Sequence, residues 1–158
     1  GSGPFPTEAL DEQGERMVEI GREFGTVTGR RRRTGWVDCV MLRHAVRVNT
    51  LTELALTKLD VLDTFDEVKV CVGYLLDGQP VRGYPDRSDV LARVEPVYRT
   101  LPGWRTSLGN CRSVSELPAE AREFIALVER EAGVPIHIVG VGPERDDVLI
   151  WNREKVSA

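Results

Sequence analysis

Residues 118–145 read PAEAREFIALVEREAGVPIHIVGVGPER, and this stretch decides the fold class. Pro118 suits the first turn of a helix, where its missing N–H costs nothing, and Glu120 and Glu123 sit early, where the helix dipole favours negative charge. Ala121, Phe124, Ile125, Val128 and Ala132 recur at spacings of three and four and predict one buried face, with Gly133 as the stop. Pro135-Ile136-His137-Ile138-Val139 then predicts a buried strand that opens into the glycine-bearing loop 140–145. A helix that hands the chain to a buried strand and then to a loop belongs to the α/β class, in which ligands collect where strands end.

The same alternation is found upstream. Residues 8–24 read as a charged helix ending near Gly25, and residues 25–36, with glycines at both ends and no apolar period, as a loop. Asp38 reads as a helix start, with Val37, Val40, Met41, Ala45 and Val48 as one buried stripe ending near Asn49. Residues 54–59 predict a buried strand and residues 68–74 a second, β-branched one. The link between them is polar, and Asp63, Asp66 and Glu67 in it read as a solvated turn. Asp77-Gly78 is a hairpin signal with a short returning strand within 80–84. Residues 86–115 are expected to be irregular, broken by Pro96, Pro102 and Gly103.

Composition narrows the function classes. A chain of 158 residues, 41% hydrophobic and 29% charged, holds enough apolar material for one compact core, as in one soluble domain. Its apolar runs are far shorter than the roughly 20 residues of a membrane helix, so no membrane partner is expected. The opening Gly1-Ser2-Gly3-Pro4-Phe5-Pro6 has neither the basic head nor the apolar run of a secretory signal. Cys39, Cys71 and Cys111 are odd in number and far apart, which fits neither a disulfide framework nor a zinc site, so a reducing cytoplasm is the expected home. The net charge of −4 has the wrong sign for a nucleic-acid binder. Positive charge is instead concentrated in Arg30-Arg31-Arg32-Arg33, as suits a small anion.

Three motifs carry candidate chemistry. Guanidinium groups bind carboxylates bidentately, so the arginine loop suits a carboxylate ligand; a solvated basic loop or a nucleic-acid patch is the plain alternative. Thr57-Lys58-Leu59-Asp60 closes a strand with a Lys-x-Asp spacing. A carboxylate there can accept both donors of a guanine edge while the lysine stem covers the ring; alternatively the motif is the polar end of a strand. Gly140-Val141-Gly142-Pro143 is a second ligand loop or an ordinary turn. His44 and His137 read as structural residues, no metal-ligating cluster is visible, and Trp36, Trp104 and Trp151 read as packing.

Gly3-Pro4-Phe5-Pro6-Thr7-Glu8, the loop Thr28 to Trp36, Thr57-Lys58-Leu59-Asp60-Val61-Leu62-Asp63, and Glu95-Pro96-Val97-Tyr98 with Leu101-Pro102-Gly103-Trp104 occur in one order and spacing. Together they resemble the C-terminal portion of adenylosuccinate synthetases, over residues 1–158. The resemblance implies a mostly parallel-sheet, P-loop-like, GTP-dependent ligase fold that joins aspartate to IMP with magnesium, acting as a homodimer. It implies an aspartate-binding arginine loop at 25–36, strands with the guanine-binding Lys-Leu-Asp at 54–75, and a helix, last strand and second guanine loop at 117–143. By the same resemblance Thr26, Val27, Thr28, Gly29, Arg30, Arg31 and Arg32 bind aspartate, with Arg30 also reaching IMP and Arg32 GTP. Lys58, Leu59, Asp60, Gly140, Val141 and Gly142 bind GTP.

Val27 stands where the family usually has a hydroxyl residue, and Gly140 where it usually has serine. The family's phosphate-binding glycine loop, catalytic aspartate and catalytic histidine belong to the N-terminal part, which also holds most of the magnesium contacts. Those motifs are absent from these residues, so no catalytic residue is assigned and the chain is expected to be inactive by itself. The alternatives are a non-catalytic purine- or carboxylate-binding relative and a split-gene product.

Overall fold

The computed structural model describes residues 2–151; residue 1 and residues 152–158 of the chain lie outside the described residues. The elements in order are α1 (Glu12–Gly21), β1 (Val37–Asp38), α2 (Cys39–Asn49), β2 (Leu54–Leu56), a 3-10 turn (Leu59–Leu62), β3 (Glu67–Leu76) and β4 (Gln79–Pro80). There follow α3 (Ser88–Leu91), β5 (Glu95–Pro102), a second 3-10 turn (Val114–Glu116), α4 (Ala119–Ala132), β6 (Ile136–Gly140) and β7 (Val148–Ile150). The class is α/β with mixed sheets. Parallel pairing joins strands separated by helices, and antiparallel pairing adds returning strands. Among the described residues no helix is long and apolar enough to cross a membrane.

Where composition predicts one core, the chain divides into two compact units, each assembled from two separated stretches. The first joins the N-terminal residues through His44 to Lys69–Arg99, and the second joins Ala45–Val68 to the residues from Thr100 onward.

In the first unit β1 lies parallel to β3, with Val37 opposite Val70, and β3 turns back into β4, with Leu76 opposite Gln79. That turn uses positive φ at both Asp77 and Gly78, the conformation a tight hairpin needs. β5 pairs with β3 as well. Its prolines had marked the segment as irregular, but both lie near the ends of the strand. The core gathers Val40, Cys71, Tyr74, Leu91 and Val94. Asp38 starts α2 as expected, because one carboxylate oxygen accepts from the Val40 and Met41 amides at 3.0 and 3.1 Å. The other oxygen accepts from the Tyr74 hydroxyl. The α2 stripe is only partly buried: Val40 is in the core, whereas Met41 and Val48 are exposed, so periodicity overstated that face.

In the second unit the strand order is β2-β6-β7, with β2 parallel and β7 antiparallel to β6. The α4 face predicted from spacing is buried throughout. Pro118 stands one position before the helix, and Gly133 ends it in the left-handed conformation at φ 81°. Asp63 is half-buried rather than freely solvated. Its carboxylate accepts from Trp104 Nε1 at 2.9 Å and from the Leu108 amide at 3.0 Å, which fixes the family-typical Trp104 in place. Gly103 is required there, because a Cβ would strike the Phe65 carbonyl.

Candidate functional site

The arginine loop is a small hairpin. Phe24 and Arg31 bridge antiparallel, Gly25 N–H donates to the Arg30 carbonyl at 2.8 Å, and Gly29 N–H donates to the Gly25 carbonyl at 2.8 Å. Its return leg is held by Arg32 N–H to the Glu23 carbonyl at 2.9 Å and by Trp36 N–H to the Thr7 carbonyl at 3.1 Å. The glycines differ in role. Gly29 has φ 63° and open space around it, the left-handed conformation that a tight turn gives to glycine, whereas a Cβ on Gly35 would strike the Thr7 carbonyl. Gly35 is therefore a close-packing glycine. Thr26, Val27 and Thr28 are exposed at the tip, and Thr28 Oγ1 accepts from Arg30 N–H at 3.3 Å.

The four arginines separate by partner. Arg33 forms a bidentate pair with Glu8 at 2.7 and 2.6 Å, also donates to the Gly3 carbonyl at 2.7 Å, and lies over the Phe5 ring. Arg31 pairs with Glu15 at 2.6 Å, and Arg32 reaches Glu23 at 3.3 Å. These hydrogen bonds hold the Glu8 and Glu15 carboxyls below the ordinary carboxylate range. Among the described residues the exposed Arg30 guanidinium has no hydrogen bond or ion pair. A cleft of about 500 Å³ is lined by Phe5, Gly25, Thr28 and Arg30 to Arg33. It can offer a carboxylate one uncommitted guanidinium, with a loosely paired second one nearby.

The other two motifs meet in the second unit. Because β2 and β6 run parallel with Leu56 opposite Val139, both strands release their loops at the same end. The loops are in close contact: a Cβ on Gly140 would lie 3.3 Å from Thr57 Cα and 3.6 Å from Lys58 N. Lys58 is exposed and left-handed at φ 61°, and buried Leu59 anchors the turn that carries Asp60. Asp60 Oδ1 is buried and has no hydrogen-bond partner among the described residues. Burial is the main cause that raises the Asp60 proton affinity, its own amide and Lys58 oppose the rise, and Asp147 adds to it. An acceptor left unsatisfied at the end of parallel strands is suited to a ligand that brings donors.

His44 stacks on Tyr84 at 4.7 Å, and His137 is exposed on β6. The cysteines are buried and free, and burial pushes the Cys71 thiol up to about 12, so it stays protonated at neutral pH. Trp36, Trp104 and Trp151 are all buried packing residues. Among the described residues no three His, Cys, Asp or Glu side chains gather as a metal cage. The sequence reading made no assignment for Asp147, which the structure places at the loop after Gly142 and among the charges acting on Asp60.

The family model described as adenylosuccinate synthetase matches residues 1–149. The adenylosuccinate synthetase of Aquifex aeolicus is 51% identical over 154 residues, which is 98% of this chain and 35% of that protein. The one from Mycobacterium bovis is 49% identical over 150 residues, 95% of this chain and 35% of that protein. The chain thus spans about a third of the length of these relatives. A solved structure of the fully ligated enzyme from Plasmodium falciparum superposes with a TM-score of 0.92 at 35% identity, over 96% of this chain and 37% of that one. With motifs, fold and these likenesses in agreement, the chain belongs to the adenylosuccinate synthetase family.

Proposed function

We propose that this chain supplies the aspartate and guanine contacts of a GTP-dependent ligase that joins aspartate to IMP. The observation that carries the reading is the Asp60 oxygen, buried without a partner among the described residues, just past the Thr57–Lys58 stretch that lies against Gly140. Guanine presents two adjacent donors, N1–H and the 2-amino group, to which one carboxylate is complementary; adenine lacks that pair. Lys58, Leu59 and Asp60 with Gly140, Val141 and Gly142 form the proposed GTP contacts, with Gly140 acting through its main chain.

Thr26, Val27, Thr28, Gly29, Arg30, Arg31 and Arg32 form the proposed aspartate loop. Arg30 carries most of the affinity because its guanidinium is uncommitted, while Arg31, tied to Glu15, contributes through its main chain. The further roles of Arg30 toward IMP and Arg32 toward GTP follow the family resemblance, as do magnesium, a homodimeric assembly and a cytoplasmic location. By the same resemblance magnesium is held mainly through the N-terminal part of the family's enzymes, so no step is assigned to the metal through these residues.

The test is steady-state kinetics on the enzyme completed with the N-terminal part of a relative. Arg30→Leu is expected to raise the aspartate requirement by the equivalent of about 2 to 5 kcal/mol. Arg31→Leu removes an exposed, solvent-screened pair with Glu15 and is expected to be mild. Equal, slight effects at both positions would make the loop a solvated basic segment.

A further inference from the structure

We propose that Asp147, resting on the nucleobase reading above, is a positioning residue: its carboxylate holds the Gly140–Val141–Gly142 loop in place beside the unpartnered oxygen of Asp60. The antiparallel pair β6–β7 closes with Gly140 opposite Val148, so Asp147 is the last residue of the connection that carries the loop. Its carbonyl accepts from Val141 N–H at 2.8 Å, its N–H donates to the Glu144 carbonyl at 3.1 Å, and its carboxylate oxygen Oδ2 accepts from Glu144 N–H at 3.1 Å. One residue thus closes the loop on itself with three hydrogen bonds.

The same carboxylate accounts for the second glycine of the motif. A Cβ on Gly142 would overlap the Asp147 side chain, so the missing side chain makes room for this acid whether or not a ligand also approaches the backbone. The loop conformation matters for the base because Gly140 lies directly against Thr57 and Lys58. The charged groups acting on Asp60 are Lys58 from its own turn and Asp147 from across the sheet end; Asp60 in turn acts on Asp63. Asp147 therefore also raises the proton affinity of Asp60, while Lys58 lowers it.

The experiment uses the 158-residue chain and its Asp147→Ala, Asp147→Asn, Gly142→Ala and Asp147→Ala/Gly142→Ala variants. Amide exchange reads the loop, side-chain carboxyl NMR reads Asp60, and titrations with GTP and with ATP read base preference. Asp147→Ala is expected to speed Glu144 amide exchange and to weaken GTP by about fivefold, the loss of one modest hydrogen bond, with ATP unchanged. Asp147→Asn keeps an acceptor and most of the GTP affinity, but Asp60 titrates at lower pH. Gly142→Ala perturbs the loop in the parent, and less so once Asp147 is alanine, because the two changes share one contact.

Unchanged exchange and unchanged GTP preference in Asp147→Ala, or additive effects in the double variant, would overturn the role of Asp147 alone. A parent chain that does not distinguish GTP from ATP would overturn the nucleobase reading and this role with it.

Discussion

Burial sets the surroundings of Asp60 against its charged form. Its folded proton affinity lies above the ordinary value of 3.8, so the folded chain binds more protons than the unfolded one in the pH window just above that value. Stability therefore falls as pH rises through the window, and at neutral pH the ionised group is a net cost to the fold. Asp60→Asn is expected to leave the melting temperature at pH 7 equal to or above that of the parent, with the advantage gone at pH 3. In the completed enzyme the same change should weaken GTP by about 5- to 150-fold, the cost of leaving a polar contact unpaired, and leave aspartate nearly untouched. A melting temperature that falls in step with GTP affinity would make Asp60 a structural residue. Its place in Lys-x-Asp was legible in the sequence, but its missing partner was not, because solvent access is not a local property.

α4 and β6 were legible as elements because each is specified locally, by an apolar face of period 3.6 and by a glycine stop. Gly133 occupies the left-handed cap at φ 81° with nothing within 4 Å of a Cβ, so Gly133→Ala meets only backbone strain. It should cost about 1 kcal/mol, read as a shifted midpoint in chemical denaturation with the slope unchanged. α3, with four residues, and β7, with three, are too short to express a period. β5 was masked by Pro96 and Pro102, which weaken any strand reading that does not know where the ladder begins and ends. The α2 stripe failed in the opposite sense: its spacing was regular, yet packing covered Val40 and left Val48 open.

At the scale of the whole molecule, the chain holds proposed carboxylate and guanine contacts but no phosphate-cradling glycine loop, and positioning with electrostatic stabilisation dominates phosphoryl transfer. The purified chain should therefore release no phosphate dependent on IMP, GTP and aspartate together; robust turnover would show that the reaction needs less than the family's full machinery. Composition was consistent with one core, whereas the chain forms two compact units, because composition reports how much apolar surface exists and not which separated stretches share it. The sequence by itself determined the α/β class, the helix and strand that deliver the last loop, and the order of the motifs that mark the family. These are readable because period, turn residues and spacing are written along the chain. Only the tertiary structure decided that Arg31 belongs to Glu15 and Arg33 to Glu8, 16 and 25 residues away, while among the described residues the Arg30 guanidinium is left uncommitted. It alone brought Gly140 against Thr57 and placed Asp147 under Gly142, because such partners are chosen by which distant segments folding draws together, and no local pattern records that choice.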